Sequence, residues 1–436
     1  MQDRYMAYVG SYSYNGKAKG ITVFDVDVEN GSFTYRCEVE VDNASYLTVS
    51  NDRRTLYSIA DEGIVSFRIL KNGDFSGLNV TVPYKKAVIP YLDELSDRAK
   101  QLGAVNTIVR RNGKLIGHNT DYFGFQQMLL KSGLQVNGKK VLVLGSGGAS
   151  NTAVAVLRSY GAKVVVISRS GENNYQNLHL HTDASVIVNT TPVGMYPDTD
   201  LTPIHIVQFP QLEGVLDVIY NPARTMLLQQ AEERGLVAMN GLLMLVAQAK
   251  EASEWFSGTV IADHKFSEIH ASLRRQMENI VLIGMPGSGK SSVGQLLAEK
   301  TGKQFADADA LIAELAGKPI PQIFAEDGEE VFRQWETKAL STLGKQSGMV
   351  IATGGGCVTR DENYPILHQN GRIFCLDRDV EKLPTEGRPL SQAGKLSEMY
   401  RIRKPLYDRF ADHHVDSNGT VEAAAEQIRK IWEETL

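Results

Sequence analysis

The residues best suited to chemistry lie in Gly284-Met285-Pro286-Gly287-Ser288-Gly289-Lys290-Ser291. They follow the apolar run Asn279–Ile283 and precede the helix-like residues 292–301, the strand–loop–helix context of a phosphate-binding loop. Glycines let backbone N–H groups turn toward phosphates, and a helix N-terminus favours negative charge. Lys290 would hold the β- and γ-phosphates of ATP and Ser291 would ligate Mg²⁺, with Gly287, Ser288, Gly289 and Ser292 completing the nucleotide cradle. Downstream, Asp307 and Asp309 are two carboxylates two residues apart. One suits a Mg²⁺ shell and the other a substrate hydroxyl; the bland reading is a helix cap with a solvated neighbour. Gly354, Gly355 and Gly356 permit close backbone approach to a ligand or simply a tight turn. Arg333, Arg388 and Arg403 are either anion-binding groups or surface charges.

A second constellation lies upstream. Gly145, Gly147, Gly148 and Ala149 follow the apolar run Lys140–Leu144 and open a helix-like stretch, the pattern of a dinucleotide-binding turn. The next apolar run, Lys163–Ile167, ends in Ser168-Arg169-Ser170. An acidic residue there would bind a ribose 2′-hydroxyl; a basic one suits a 2′-phosphate, so NADP(H) is expected. Further upstream, Lys85 and Asp121 stand in polar surroundings and form a plausible acid/base pair. Hydride delivery to a ketone needs a proton for the developing alkoxide, which a Lys–Asp pair can supply and orient.

Three textures carry these residues. Residues 1–72 read as short alternating strands split by turn signals, a β-rich segment. Residues 73–256 alternate strand and helix patterns, favouring a parallel sheet with helices on both faces: 73–130 as a substrate part, 131–256 as a Rossmann-type part with a return helix. Residues 257–277 are polar, charged and helix-like and look like a linker, and 278–436 form a second α/β unit. The expected class is therefore α/β multidomain. At 436 residues the length suits about three domains.

With 46 basic and 51 acidic residues the net charge is −5, which argues against a chain built to coat nucleic acid or an anionic membrane. No apolar run is long enough to span a bilayer, and the N-terminus lacks a basic-then-apolar signal pattern. Three scattered cysteines, Cys37, Cys357 and Cys375, point to a reducing, cytoplasmic setting. The expected partners are small molecules, with oligomeric state left open.

Taken together, Gly284–Ser291, Asp307-Ala308-Asp309, Phe332-Arg333, the triple glycine, Arg388-Pro389-Leu390 and Arg403-Lys404-Pro405-Leu406-Tyr407 make residues 278–436 resemble shikimate kinase. The resemblance implies that Asp309 meets the reacting hydroxyl and Asp307 serves Mg²⁺. It implies that Arg333 and Arg403 clamp the shikimate carboxylate near the triple glycine, and that Arg388 closes over ATP in a lid. Glu381 stands where some members carry an adenine-stacking arginine.

Asn79-Val80-Thr81, Lys85, Asn106, Asp121, Asn189-Thr190-Thr191-Pro192, Asp217-Val218-Ile219-Tyr220 and Gln248 make residues 75–256 resemble shikimate dehydrogenase. This implies a shikimate pocket lined by Asn79, Thr81, Lys85, Asn106, Asp121, Tyr220 and Gln248. It also implies NADP held by Gly145, Gly147, Gly148, Ala149, Ser168 and Arg169 and flanked by Asn189, Thr190 and Met239. The family's Ser-x-Ser carboxylate-binding pair has no counterpart; Ser11-Tyr12-Ser13 has the spacing without the flanking His and Pro and reads as turn residues. Residues 1–70 resemble instead the start of a propeller lactonase of the 6-phosphogluconolactonase type, through segments such as Tyr8-Val9-Gly10-Ser11-Tyr12. One blade and part of a second cannot close a propeller, so lactonase activity is not expected. Two functional readings follow. In one, the chain is bifunctional, reducing 3-dehydroshikimate and phosphorylating shikimate. In the other, only the kinase works and the dehydrogenase part is an NADP- or ligand-binding remnant.

Overall fold

Short runs in which every residue is apolar suit strands covered on both faces, and two such runs organise the larger part of the chain. Residues 141–144 and 280–283 are completely buried, each in an interior strand of a five-stranded parallel sheet. The computed structural model describes residues 5–10, 20–27, 32–40, 46–49, 55–60, 63–68, 77–81, 84–383 and 393–434. They divide into two units, residues 1–123 with 248–261, and residues 124–247 with 262–436.

In the second unit, the first sheet runs Lys163–Ile167, Lys140–Leu144, Val186–Asn189, Gly214–Asp217, Val237–Met239, all parallel. The chain leaves Lys140–Leu144 toward one neighbour and returns on its other side. The switch point therefore falls at the carboxyl end of that strand, where Gly145–Gly148 follow. The second sheet runs Gln304–Asp307, Met349–Ala352, Asn279–Ile283, Gly371–Asp377, His413–Asp416, again all parallel. The phosphate loop, Asp307 and the triple glycine all lie at the carboxyl ends of its strands, the usual ligand-binding edge of such sheets. Residues 263–277 of the linker-like stretch form a helix, Asp263–Met277, whose Phe266 is buried.

In the first unit a four-stranded sheet runs Gly77–Asn79, Thr107–Arg111, Lys114–His118, Glu94–Leu95, with only the last pair parallel. Ala99, Val105 and Ile108 form its core. The second half of the helix Leu242–Ser257 packs within this unit: Trp255 stacks on His118 with ring centroids 4.0 Å apart, and Arg98 bonds Glu251 at 2.6 Å. Gly77 is required there, because a Cβ would lie 1.7 Å from the Phe256 ring. The same unit holds two three-stranded antiparallel sheets, Tyr5–Gly10 with Gly20–Asp27 and Ser32–Glu40, and Tyr46–Val49 with Thr55–Ala60 and Gly63–Arg68. Among the described residues, no helix is long and apolar enough to cross a membrane.

Candidate active sites

The phosphate loop borders a cavity of about 520 Å³. Gly287 and Gly289 adopt φ of +88° and +95°, which side-chain-bearing residues rarely tolerate. The Lys290 ammonium is buried and folds back onto the loop, donating to the carbonyls of Gly284 (2.9 Å) and Met285 (3.0 Å). Ser291 Oγ donates to Asp307 Oδ2 at 2.6 Å. These are two oxygens of the kinds Mg²⁺ accepts, side by side at the loop, so the residues fit a magnesium nucleotide. The hydroxyl of Ser288 is buried without a partner in the loop, and Ser292 follows on the exposed face of the helix Lys290–Thr301. Asp307 also accepts the Asp309 N–H at 2.9 Å and so caps the helix Ala308–Ala316. Asp309 is exposed to the cavity, its Oδ1 within 3.0 Å of the Cβ that Gly354 lacks.

Arg333 enters the same cavity from the helix Gly328–Gly344. It is buried and bonds Glu336 at 2.8 Å and Glu329 at 3.0 Å. Burial opposes its charge, but the two carboxylates outweigh burial and raise its pKa above the ordinary value. Glu336 is fully buried; burial pushes its carboxyl upward against the pull of Arg333, and its Oε1 has no partner. Arg403 is also buried and donates to the Gly355 carbonyl at 2.9 Å, which Tyr407 likewise engages at 2.5 Å. The triple glycine is enforced by the protein itself. Added Cβ atoms would lie 2.6 Å from Glu336 Oε1 at Gly354, 2.6 Å from Pro286 at Gly355 and 2.1 Å from the Arg333 guanidinium at Gly356. Phosphate loop, both aspartates, both arginines and the triple glycine thus converge on one cavity. Arg388 lies outside the described residues, as do Ser11 and Ser13.

In the Rossmann-type part, Gly145 has φ +109° and a Cβ there would lie 2.8 Å from Thr190 Oγ1, itself bonded to the Leu144 carbonyl at 2.6 Å. Gly147 and Gly148 face open space, and the helix Gly148–Ser159, which runs through Ala149, has no side-chain cap. Its first N–H groups are therefore available to a pyrophosphate, and the turn fits a dinucleotide. Arg169 is exposed just past the strand Lys163–Ile167, while the Ser168 N–H is bonded to the Asn173 carbonyl at 3.1 Å. Asn189 is buried and donates to Asp217 at 3.1 Å; Asp217 also accepts from Thr225 Oγ1 (2.8 Å) and the Ile219 N–H (3.0 Å). Burial pushes the Asp217 carboxyl up to about 6 in spite of those bonds. Tyr220 and Met239 are partly exposed in this unit.

In the other unit, Lys85 Nζ lies 2.6 Å from Asp121 Oδ2. Asn106 Nδ2 holds Asp121 Oδ1 and Thr120 Oγ1, both at 3.0 Å, while its own carbonyl accepts the Thr120 N–H at 2.8 Å. This fixes the carboxylate so that its second oxygen faces the lysine. Asn79 stands opposite Thr107 in the sheet; Thr81 lies two residues on, and Gln248 is half-buried on the helix Leu242–Ser257.

Residue types and spacing did not single out Glu336, Glu329 or Thr225, and Asp217 entered only as the first residue of the stretch Asp217–Tyr220. A signal existed for the first two: carboxylates three residues after and four before Arg333 share its helix face.

A parallel sheet with a phosphate loop facing two buried arginines defines a small-molecule phosphotransferase. A Rossmann sheet in the same chain as a fixed Lys–Asp pair defines a dinucleotide-dependent oxidoreductase. Comparisons with known proteins agree. The shikimate kinase family matches residues 286–433, and the shikimate dehydrogenase substrate binding domain matches residues 43–108. The latter begins inside the β-rich segment 1–72. The shikimate dehydrogenase (NADP(+)) of Clostridium perfringens (strain 13 / Type A) is 36% identical over 212 residues, 45% of this chain and 78% of that protein. That of Alkaliphilus oremlandii (strain OhILAs) is 36% identical over 256 residues, 53% of this chain and 86% of that protein. A crystal structure of a chorismate mutase/shikimate 5-dehydrogenase fusion protein from Clostridium acetobutylicum is similar at 37% identity and a TM-score of 0.44, covering 45% of this chain and 77% of that one. The chain belongs to the shikimate dehydrogenase family and carries a shikimate kinase domain at its C-terminal end.

Proposed function

We propose that this chain catalyses two consecutive reactions, NADPH-dependent reduction of 3-dehydroshikimate to shikimate and ATP-dependent phosphorylation of the shikimate 3-hydroxyl. One observation carries the reading: a Lys–Asp pair at 2.6 Å and a cavity uniting the phosphate loop with Arg333 and Arg403 stand in one chain.

On the dehydrogenase side, NADPH supplies the hydride when bound. Asn106 orients Asp121, and Asp121 holds the Lys85 ammonium, which gives its proton to the alkoxide oxygen and recovers it in the reverse direction. Gly145, Gly147, Gly148 and Ala149 shape the cofactor turn, Ser168 and Arg169 take the 2′-phosphate, and Asn189, Thr190 and Met239 border the cofactor. Asn79, Thr81 and Gln248 belong to the substrate's surroundings.

On the kinase side, Arg333 and Arg403 take the substrate carboxylate; two guanidinium forks suit its planar shape better than ammonium groups would. Asp309 accepts the proton of the attacking hydroxyl. Ser291 and Asp307 are the Mg²⁺ residues, while Lys290 and Arg388 neutralise charge on the transferring phosphoryl group. The chemistry asks mainly for position and neutralisation, which buried, mutually braced charges supply.

Paired variants test the assignment. Lys85→Ala is expected to lower shikimate oxidation with NADP while leaving phosphorylation intact, and Asp309→Asn the converse. Loss of both activities in either variant would refute two separate sites.

A further inference from the structure

A second cavity of about 380 Å³ lies within the unit that joins the Rossmann-type and kinase parts. Its volume falls within the range of small-molecule pockets. Three arginines line it from three elements: Arg224 before the helix Met226–Glu233, Arg274 on the helix Asp263–Met277, and Arg372 on the strand Gly371–Asp377.

Arg372 is 7% exposed. Its Nε and Nη2 bond Glu278 Oε1 at 3.3 and 3.0 Å, and Trp432 Nε1 occupies the other Glu278 oxygen at 2.8 Å. Its Nη1 has no partner, although a buried guanidinium N–H is costly to leave unsatisfied. Arg224 donates to the carbonyls of His368 (3.0 Å) and Gly371 (3.3 Å) and lies 3.3 Å from Glu232. Asp412 lines the cavity too, but its Oδ2 is taken by the Ile373 N–H at 2.7 Å. Glu278 and Glu232 are thus already engaged, each by an arginine and one further donor. Arg274 stands at the rim; burial, and then repulsion from Arg372 and Arg224, hold its pKa below the ordinary arginine value, with Glu278 opposing.

We propose that this cavity is a second oxyanion site, taking a phosphate or the phosphoryl group of a small phosphorylated metabolite on Arg372 Nη1 and the Arg224 and Arg274 guanidinium groups. Tetrahedral oxyanions accept forked N–H pairs and tolerate several donors at once, as three convergent guanidinium groups require. The site also bridges the two parts. Arg224 directly precedes Thr225, which bonds Asp217, and Asp217 in turn receives Asn189. An anion held between Arg224 and Arg372 would steady that chain of bonds from the kinase side.

The test is calorimetric titration of inorganic phosphate into the full chain carrying Lys290→Ala, which removes the phosphate loop's own affinity. A phosphate site that depends on Arg372 and Arg274 is expected. Arg274→Gln, a rim change, and Arg372→Lys, which keeps the charge facing Glu278, are each expected to weaken it about tenfold, the cost of one charge-assisted hydrogen bond. Melting temperatures measured alongside show whether each variant is folded. If a phosphomonoester of a cyclic polyol binds more tightly than inorganic phosphate, a metabolite is the ligand; if not, free phosphate is. Either result keeps the site. Absence of binding up to about 10 mM phosphate, or unchanged affinity in both folded variants, would overturn it.

Discussion

Gly356→Ala should disable acceptor binding in the kinase part without touching its nucleotide loop. Gly356 has φ −108° and ψ 0°, a conformation open to alanine, so any effect is steric. The added methyl would lie 2.1 Å from Arg333 Nη1 and 2.4 Å from its Cζ and Nη2. A free arginine would swing aside. Arg333 is held by Glu336 at 2.8 Å and Glu329 at 3.0 Å and is buried, so it moves only by giving up those bonds or by leaving the substrate's place. Losing one charge-assisted hydrogen bond to the substrate carboxylate costs about 1.5–3 kcal/mol, or about tenfold to a hundredfold in affinity. The assay is the shikimate dependence of phosphorylation, with ATP dependence and dehydrogenase turnover as internal controls. The shikimate KM should rise by that factor while the ATP KM holds. A shikimate KM within about twofold of the parent, in a folded variant, would show that Arg333 does not serve the carboxylate.

Lys290→Ala should abolish phosphoryl transfer and leave NADP binding and shikimate oxidation unchanged, read in parallel assays on one preparation. Asp121→Asn should lower dehydrogenase turnover by about 10²- to 10⁴-fold with little change in NADP affinity, because it removes the partner that holds Lys85. Asp217 predicts a pH effect. Its carboxyl is raised from 3.8 to about 6 in the folded chain, so the fold binds a proton that the unfolded chain has released. Its relative stabilisation is therefore full below about pH 4, is lost as pH rises through about 6, and amounts to about 3 kcal/mol. Against Asp217→Asn, the parent's melting temperature should fall across that window and run parallel above it; parallel curves throughout would exclude Asp217 as the titrating group.

The two sites were legible in the sequence to different depths. Local backbone chemistry is written in short motifs, so the phosphate loop, the glycine turn after Lys140–Leu144 and the parallel character of both sheets could be read directly. The carboxylates two apart were read with two alternatives open; Asp307 caps a helix and also accepts the Ser291 hydroxyl. The triple glycine was read either as clearance for a ligand or as a plain tight turn. The clearance is needed first by Glu336, Pro286 and Arg333, residues distant in sequence whose approach depends on tertiary packing. The same holds for Asp217: it and Asn189 lie in stretches that carry the family resemblance, but its upward shift comes from burial, against hydrogen bonds from Asn189, Thr225 and the Ile219 N–H that only the fold brings together. Helical character in 263–277 was visible in the polar sequence; the burial of Phe266, which anchors that helix, was not.

The most direct test of the central claim is to assay one purified full-length preparation for both reactions, following NADPH formation from shikimate and ATP-dependent phosphorylation of shikimate. The account predicts turnover in both, the first abolished by Lys85→Ala and the second by Lys290→Ala. Phosphorylation without any NADPH formation would contradict it and leave the kinase as the chain's single working enzyme.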